Sequence, residues 1–143
     1  MIAWGKKVSP EFAARVVMIA GELGIHPNHL MACMAFETGR SFSPSIRNAA
    51  GSGAVGLIQF MPSTARRLGT TTEALARMSA VEQLEYVRRY FLPYKGKLST
   101  VHDVYMAILW PAGIGKPLDA GVSREQCPRA YELNKGLDAE NVA

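Results

Sequence analysis

Apolar side chains recur three or four residues apart along most of the chain, and this spacing limits the possible folds more than any other feature. The first such run has apolar residues at Phe12, Val16, Ile19 and Leu23. No segment shows the two-residue alternation of a half-buried strand, and no internal repeat is present. The pattern therefore predicts a mainly α, nearly all-helical fold.

Capping residues and helix breakers predict where these helices begin and end. The predicted starts are Ser9-Pro10, Pro27, Pro62, the capping pairs Thr70/Glu73 and Ser79/Glu82, and Ser99 or Thr100; the predicted stops are Gly24, Gly39, Gly69, Pro93 and Pro111. Residues 40–56 are rich in Ser, Pro, Asn and Gly and follow neither period, so we expect a long irregular loop there. Loops of this length in compact domains commonly carry function.

The size and the cysteine content favour one domain without a metal. At 143 residues, of which 48% are hydrophobic, the chain is expected to form a single domain over residues 1–143. Its two cysteines, Cys33 and Cys127, are too few for a disulfide framework and stand in no cluster with metal-ligand spacing. Cys33 lies in an apolar helical run, which favours a buried thiol. We therefore expect neither a metal nor another cofactor.

The net charge and the amino-terminal sequence indicate which binding partners and which location to expect. A formal net charge of +4 favours encounter with polyanions such as a bacterial cell wall. The positive residues are scattered as pairs, which disfavours nucleic-acid binding and fits a solvated surface equally well. The amino end lacks the pattern of a secretory signal, and no stretch approaches the ~20 apolar residues of a membrane-spanning helix. We therefore expect no signal peptide and no stable membrane insertion.

Glu37 is the strongest candidate for a catalytic residue. It follows Leu30 and Met34 at helical spacing, so its carboxylate shares an apolar stripe near the end of the second predicted helix. Burial and the negative end of the helix dipole both favour the protonated acid and predict a raised pKa, which suits a general acid. The alternative is a helix-end ion pair between Glu37 and Arg40 or Arg47.

The loop after Glu37 offers a candidate substrate-binding side chain. Three glycines between residues 51 and 56 give it a permissive backbone, and Gln59 follows beside the aromatic Phe60. An amide donates and accepts hydrogen bonds without titrating, which suits sugar hydroxyls and N-acetyl groups. Taken alone, this stretch also fits a turn into a buried strand or helix.

Two motifs in this order resemble the soluble lytic transglycosylase domain of the lysozyme-like superfamily. Phe36-Glu37-Thr38-Gly39 is similar to the family's helix-ending Glu-Ser or Glu-Thr signature, and the stretch from Ser52 to Gln59 is similar to its Ser-x-x-Ala-x-Gly-Leu-Met-Gln. The resemblance covers residues 30–68 well and the remainder loosely, although residues 83–87 and 131–134 also look like segments of phage-encoded lytic domains. It implies a lysozyme-like helical domain with a catalytic helix and a long glycine-rich substrate loop.

The resemblance also implies a reaction. In this family the acid, here Glu37, protonates the oxygen of the β-1,4 bond between N-acetylmuramic acid and N-acetylglucosamine in peptidoglycan. The substrate's own acetamido group stabilises the cation that forms when the bond breaks. The same residue then acts as base while the muramic acid C6 hydroxyl attacks C1, giving a 1,6-anhydro product. No Asp or Glu lies between Thr38 and Thr72, which favours a single acid. The acids still open as a second carboxylate are Glu73, Glu82, Glu85 and Asp103.

A third family element, usually Ala-Tyr-Asn-Ala-Gly, is matched less well. At this point the chain has Leu109-Trp110-Pro111-Ala112-Gly113, so that Trp110 and Pro111 replace the Tyr and the Asn. Trp110 is expected either to stack on a sugar ring or to pack in the core. Together with Gln59, the expected substrate-binding residues are Ser52, Phe60, Tyr105 and Trp110.

Two other functions stay open at this point: a hydrolysing lysozyme with a second acid such as Asp103, and a non-catalytic wall-binding virion module. Because the chain shows no signal, action on the periplasmic cell wall fits a phage lysis protein made in the host cytoplasm, or a virion component. We therefore expect peptidoglycan glycan strands as the partner of a monomer or of a domain in a larger phage protein. The Pro/Gly-rich stretch 111–128 and the tail after Leu137 are expected to be docking segments or mobile ends.

Overall fold

The computed structural model describes residues 2–115, and in this part of the chain it contains six α-helices joined by turns and irregular loops. The helices are α1 (Pro10–Leu23), α2 (Pro27–Glu37), α3 (Pro62–Arg67), α4 (Thr72–Arg77), α5 (Ala80–Phe91) and α6 (Val101–Leu109). Short 3-10 turns lie at Gly5–Lys7, Leu92–Tyr94 and Pro111–Gly113. The predicted mainly α fold is confirmed.

Local capping explains most helix starts. The Ser9 side chain accepts a hydrogen bond from the Phe12 amide at the start of α1, and Thr100 does the same for Asp103 at the start of α6. Ser79 and Glu82 form the complete capping box predicted for α5. These side chains satisfy backbone donors that a helix leaves unpaired at its first turn.

The predicted cap at Thr70 is wrong by one residue. The Thr70 amide donates to the Ala65 carbonyl and closes the end of α3, with Gly69 in the left-handed region. Thr71 therefore becomes the cap of α4, and its side chain accepts from the Ala74 amide. The end of one helix thus determines where the next begins.

The helix packing places α2 at the centre of the core. α1 packs against α2 and α5, and α2 also packs against α6. Residues Leu30 to Ala35 of α2 are each at most 3% exposed, so this helix is buried on every side. Cys33 is fully buried, as predicted.

Some sequence features lie outside the described residues, namely Cys127, residues 116–128, residues 131–134 and the tail after Leu137. Within the described part of the chain, no helix combines the length and the apolar character required to cross a membrane.

Candidate active site

Glu37 is the last residue of α2, and its side chain is 7% exposed. The turn that follows is held by Thr38, whose hydroxyl donates to the Met34 carbonyl at 2.7 Å and accepts from the Phe42 amide at 2.9 Å. The predicted burial of the Glu37 carboxylate is therefore confirmed. Its raised pKa stays a prediction.

The salt bridges recorded among the described residues connect Arg88 and Arg89 to Glu22 and Glu85. Arg40 and Arg47 take part in none of these pairs, and the helix-end ion pair with Glu37 remains the alternative to a catalytic acid. The backbone carbonyl of Arg40 accepts a hydrogen bond from the Lys7 ammonium.

The other acids considered as a second carboxylate have structural roles. Glu82 belongs to the capping box of α5, and Glu85 binds two arginines. Glu73 lies in the first turn of α4 and accepts a hydrogen bond from the Thr72 hydroxyl. Asp103 is 4% exposed, and its Oδ1 accepts from the Gly115 amide at 2.8 Å. These contacts hold helix ends and turns in place.

The glycine-rich loop that follows α2 folds back on itself. Val55 and Phe60 exchange both backbone hydrogen bonds, at 3.0 and 2.8 Å, and Val55 also forms an isolated bridge with Arg47. The Gly56 amide donates to the Ile46 carbonyl. The irregular loop predicted from the sequence is thus anchored by backbone pairing.

The backbone of Gln59 has a conformation that is uncommon for residues other than glycine. Its φ is +55°, in the left-handed region, which costs about 1–2 kcal/mol for a non-glycine residue. Its amide Nε2 donates to the carbonyls of Ile46 and Gly56 at 3.2 and 3.1 Å. These two bonds hold the side chain in one orientation, in which no donor among the described residues binds the amide oxygen Oε1.

Gln83 holds the loop against α5, and sequence reasoning did not identify it. It is fully buried; its Oε1 accepts from the Leu57 amide at 2.7 Å, and its Nε2 donates to the Pro44 and Leu75 carbonyls at 2.8 and 2.9 Å. Gly56, with a φ of +85°, lets this side chain approach, because a Cβ there would lie 2.9 Å from the Gln83 amide carbon. A polar residue on the otherwise apolar face of α5 was the signal in the sequence.

A small cavity of about 50 Å³ opens beside Gln59. It is lined by residues from the loop, α3, α5 and α6, namely Ile58, Gln59, Phe60, Met61, Thr64, Tyr90 and Ile108. A space of this size admits a water molecule or the edge of a polar substituent rather than a whole sugar ring.

The phenols of the partly buried Tyr90 and the buried Tyr105 have raised pKa values. Burial raises the pKa of Tyr90 to about 12, and the charge of Glu37 adds a smaller contribution in the same direction. Burial also raises the pKa of Tyr105 well above its usual range, again with a contribution from Glu37. Tyr90 also lines the cavity beside Gln59.

Both phenol hydroxyls donate to backbone carbonyls of neighbouring helices. Tyr90 of α5 donates to Ala107 of α6 at 2.7 Å, and Tyr105 of α6 donates to Ala32 of α2 at 2.9 Å. The hydrogen of the Tyr105 hydroxyl, predicted for substrate binding, is therefore used inside the fold.

The remaining predicted substrate-binding residues lie in different surroundings. Ser52 is exposed on the loop and accepts a hydrogen bond from the Ala54 amide. Phe60 is 2% exposed, so its ring forms part of the core and of the cavity wall. Trp110 is half-buried at the end of α6 and lies so close to Gly113 that a Cβ there would meet its ring at 2.8 Å. The structure thus places Tyr105 against Phe36, the neighbour of Glu37 in the chain, and gives Phe60 and Trp110 packing contacts.

Among the described residues, no group of three or more His, Cys, Asp or Glu side chains has a geometry suited to a metal ion.

The family model of the transglycosylase SLT domain matches residues 16–84. This part of the chain is similar to the transglycosylase SLT domain family. The matched range includes Glu37 at the end of α2, the whole glycine-rich loop with Gln59, and Gln83 on α5. The helical architecture is consistent with a lysozyme-like SLT domain, and the match indicates peptidoglycan-cleaving activity of the transglycosylase or lysozyme type. Comparison with curated proteins found no significant match, and comparison with solved structures found none either.

Proposed function

We propose that this SLT domain is a peptidoglycan lytic transglycosylase that cleaves the β-1,4 bond between N-acetylmuramic acid and N-acetylglucosamine. The observation that carries the proposal is the burial of Glu37 at the end of α2, which the chain follows with a loop that holds one amide in a fixed orientation. The family match over the same residues supports it.

In the first step, Glu37 donates its proton to the oxygen of the scissile bond while the bond to C1 of the muramic acid breaks. The substrate's acetamido group stabilises the positive charge that develops at C1. Burial of Glu37 assists this step, because a carboxyl removed from water favours its protonated form.

In the second step, the Glu37 carboxylate accepts the proton of the muramic acid C6 hydroxyl while that oxygen bonds to C1. The product is a 1,6-anhydro end, and Glu37 regains its starting proton. No water is consumed, so one carboxyl group is sufficient. The structural roles of Glu73, Glu82, Glu85 and Asp103 agree with a single acid.

Gln59 is proposed to position the sugar. Its Nε2 is bound to two loop carbonyls, and its Oε1 can therefore accept from a sugar hydroxyl or an acetamido N–H at a fixed place.

The test is digestion of purified sacculi followed by mass spectrometry of the released muropeptides. The wild type should release 1,6-anhydromuramic ends, and Glu37→Gln should release almost none, because the Gln amide is too weak an acid to protonate the glycosidic oxygen. Glu11→Gln, which removes an exposed acid in the first turn of α1, is the matched control and should behave as the wild type. Ordinary reducing ends would indicate a hydrolysing lysozyme instead, and unchanged effects of Glu37→Gln on cell walls would indicate a non-catalytic binding module.

We propose separately that this domain belongs to a phage lysis protein or to a component of the virion. Detection of the chain in purified phage particles would support the virion setting.

A further inference from the structure

Phe36 is the exception in a buried segment of α2. From Leu30 to Thr38 every residue is buried except Phe36, whose side chain is 48% exposed. The fold therefore hides small residues such as Ala32 and Ala35 and leaves the largest apolar residue of the segment in contact with solvent. Exposure of a large aromatic ring is unfavourable in free energy unless something else covers it.

The exposed ring is held in one orientation. It meets the ring of Tyr105 edge to face, with centroids 5.5 Å apart and planes at 81°. Tyr105 cannot swing away easily, because its hydroxyl donates to the Ala32 carbonyl of α2. The Phe36 ring is thus supported from one side by α6, and about half of it remains available to a ligand.

The position of Phe36 next to Glu37 indicates which ligand it meets. Consecutive Cα atoms are about 3.8 Å apart, and consecutive side chains leave a helix about 100° apart. A sugar chain bound with its scissile bond at Glu37 has further rings along the strand, within a few ångströms of that bond. A second exposed apolar side chain, Met61, lines the small cavity beside Gln59.

We propose that Phe36 is a sugar-stacking residue that binds the apolar face of a pyranose ring next to the cleaved bond. The proposal rests on the proposed function, because it takes Glu37 as the point of cleavage. A pyranose presents a face of C–H groups, and a fixed aromatic ring covers that face without any change in charge. Phe36 then contributes to binding of the glycan strand and leaves the proton transfer to Glu37.

The experiment measures initial rates on purified sacculi over a range of sacculus concentrations for four substitutions of Phe36. Phe36→Ala and Phe36→Leu should raise the half-saturating concentration about five- to tenfold with little change in the maximal rate. Phe36→Tyr and Phe36→Trp keep an aromatic face and should retain most of the wild-type affinity. Met18→Ala, at a 66% exposed position on α1, is the control for loss of an exposed apolar side chain and should have no effect.

Two further measurements separate the possible failures. Thermal unfolding of each variant shows whether Phe36 stabilises the fold; if Phe36→Leu loses stability and keeps wild-type affinity, the ring is a packing residue and the proposal is overturned.

Binding of the inactive Glu37→Gln protein to sacculi, with and without Phe36→Leu, measures the effect on affinity in the absence of cleavage. If Glu37→Gln remains active, the proposed function itself fails; if Glu37→Gln is inactive and Phe36→Leu binds normally, only the stacking role fails.

Discussion

At the scale of single residues, Gly56 and Gln83 act as a pair. Gly56 has a left-handed backbone, and the space where its Cβ would lie is filled by the Gln83 side chain. That side chain in turn holds segments that lie 39, 26 and 8 residues away in sequence, at Pro44, Leu57 and Leu75. The position of the loop beside Glu37 therefore depends on a residue without a side chain.

Gly56→Ala should destabilise the protein by about 2–5 kcal/mol, the sum of about 1–2 kcal/mol for the left-handed backbone and about 1–3 kcal/mol for the contact with Gln83. Gly51→Ala is the matched control, because Gly51 has a φ of +81° and nothing within 4 Å of its would-be Cβ, so it should lose only about 1–2 kcal/mol. Urea unfolding measures both. Equal losses for the two variants would contradict the close approach of Gln83.

Gln83→Met keeps the side-chain length and removes all three hydrogen bonds. The Leu75 carbonyl keeps another amide as a donor, and the Pro44 carbonyl is only part-buried, so the Leu57 amide is the buried group left without a partner. Such a group costs about 1–3 kcal/mol, and the variant should lose at least about 1 kcal/mol of unfolding free energy. Activity on sacculi should fall with it, because the loop that carries Gln59 loses its anchor on α5. A variant as stable as the wild type would show that the loop is held by other contacts.

At the scale of helices, α2 and α6 each carry a histidine in the first turn. Burial lowers the pKa of His29, with a further contribution from His26, and burial lowers the pKa of His102 against the opposing charge of Asp103. Both ring nitrogens of His102 are buried and lack a hydrogen-bond partner among the described residues. A positive charge at these positions is also unfavourable for the helix dipole.

These lowered pKa values predict a loss of stability in mild acid. Below the ordinary histidine pKa of 6.5 the unfolded chain takes up protons before the folded one, so the unfolding free energy falls as the pH drops through and below 6.5. Urea unfolding between about pH 7.5 and about pH 5 measures this dependence. The double variant His29→Gln and His102→Gln should flatten it, and an unchanged slope would show that other groups are responsible.

Helix positions followed from the sequence more readily than the contacts between them. Ser9, Ser79 and Thr100 cap helices through contacts within three residues, so local sequence is sufficient to place them. The cap at Thr71 depended on how the preceding helix ends, and the sequence alone predicted Thr70. The role of Gln83 could not be predicted from local sequence at all. Its three hydrogen-bond partners come together only when the loop packs on α5.

In the candidate site too, features set within one helix were predictable and features set by packing between elements were not. The burial of Glu37 was predictable from helical spacing with Leu30 and Met34, since both positions lie within one helix. That Tyr90 lines the cavity beside Gln59 was not predictable, because it depends on how α5 packs beside the loop. The exposure of Phe36 was not predictable either, because the sequence of this apolar run does not show which of its residues faces solvent.

At the scale of the whole molecule, the positive charge should influence encounter with the substrate. The formal net charge is +4, and the cell wall is a polyanion. Raising the salt concentration from about 50 to about 300 mM shortens the screening length and should slow the initial clearing of sacculi. Thermal unfolding at both salt concentrations is the control for a loss of folded protein. A rate independent of salt would show that charge has no role in binding the wall.

The two tyrosine hydroxyls described at the site join α5 to α6 and α6 to α2 in series. A fluctuation that loosens α6 must therefore break both links together, so α2 should open in concert with its neighbours rather than fray alone. In amide hydrogen exchange, the slowest protons of α2 and α6 should then exchange with a shared opening free energy. Tyr105→Phe would uncouple them and let α2 keep its protection while α6 loses its own.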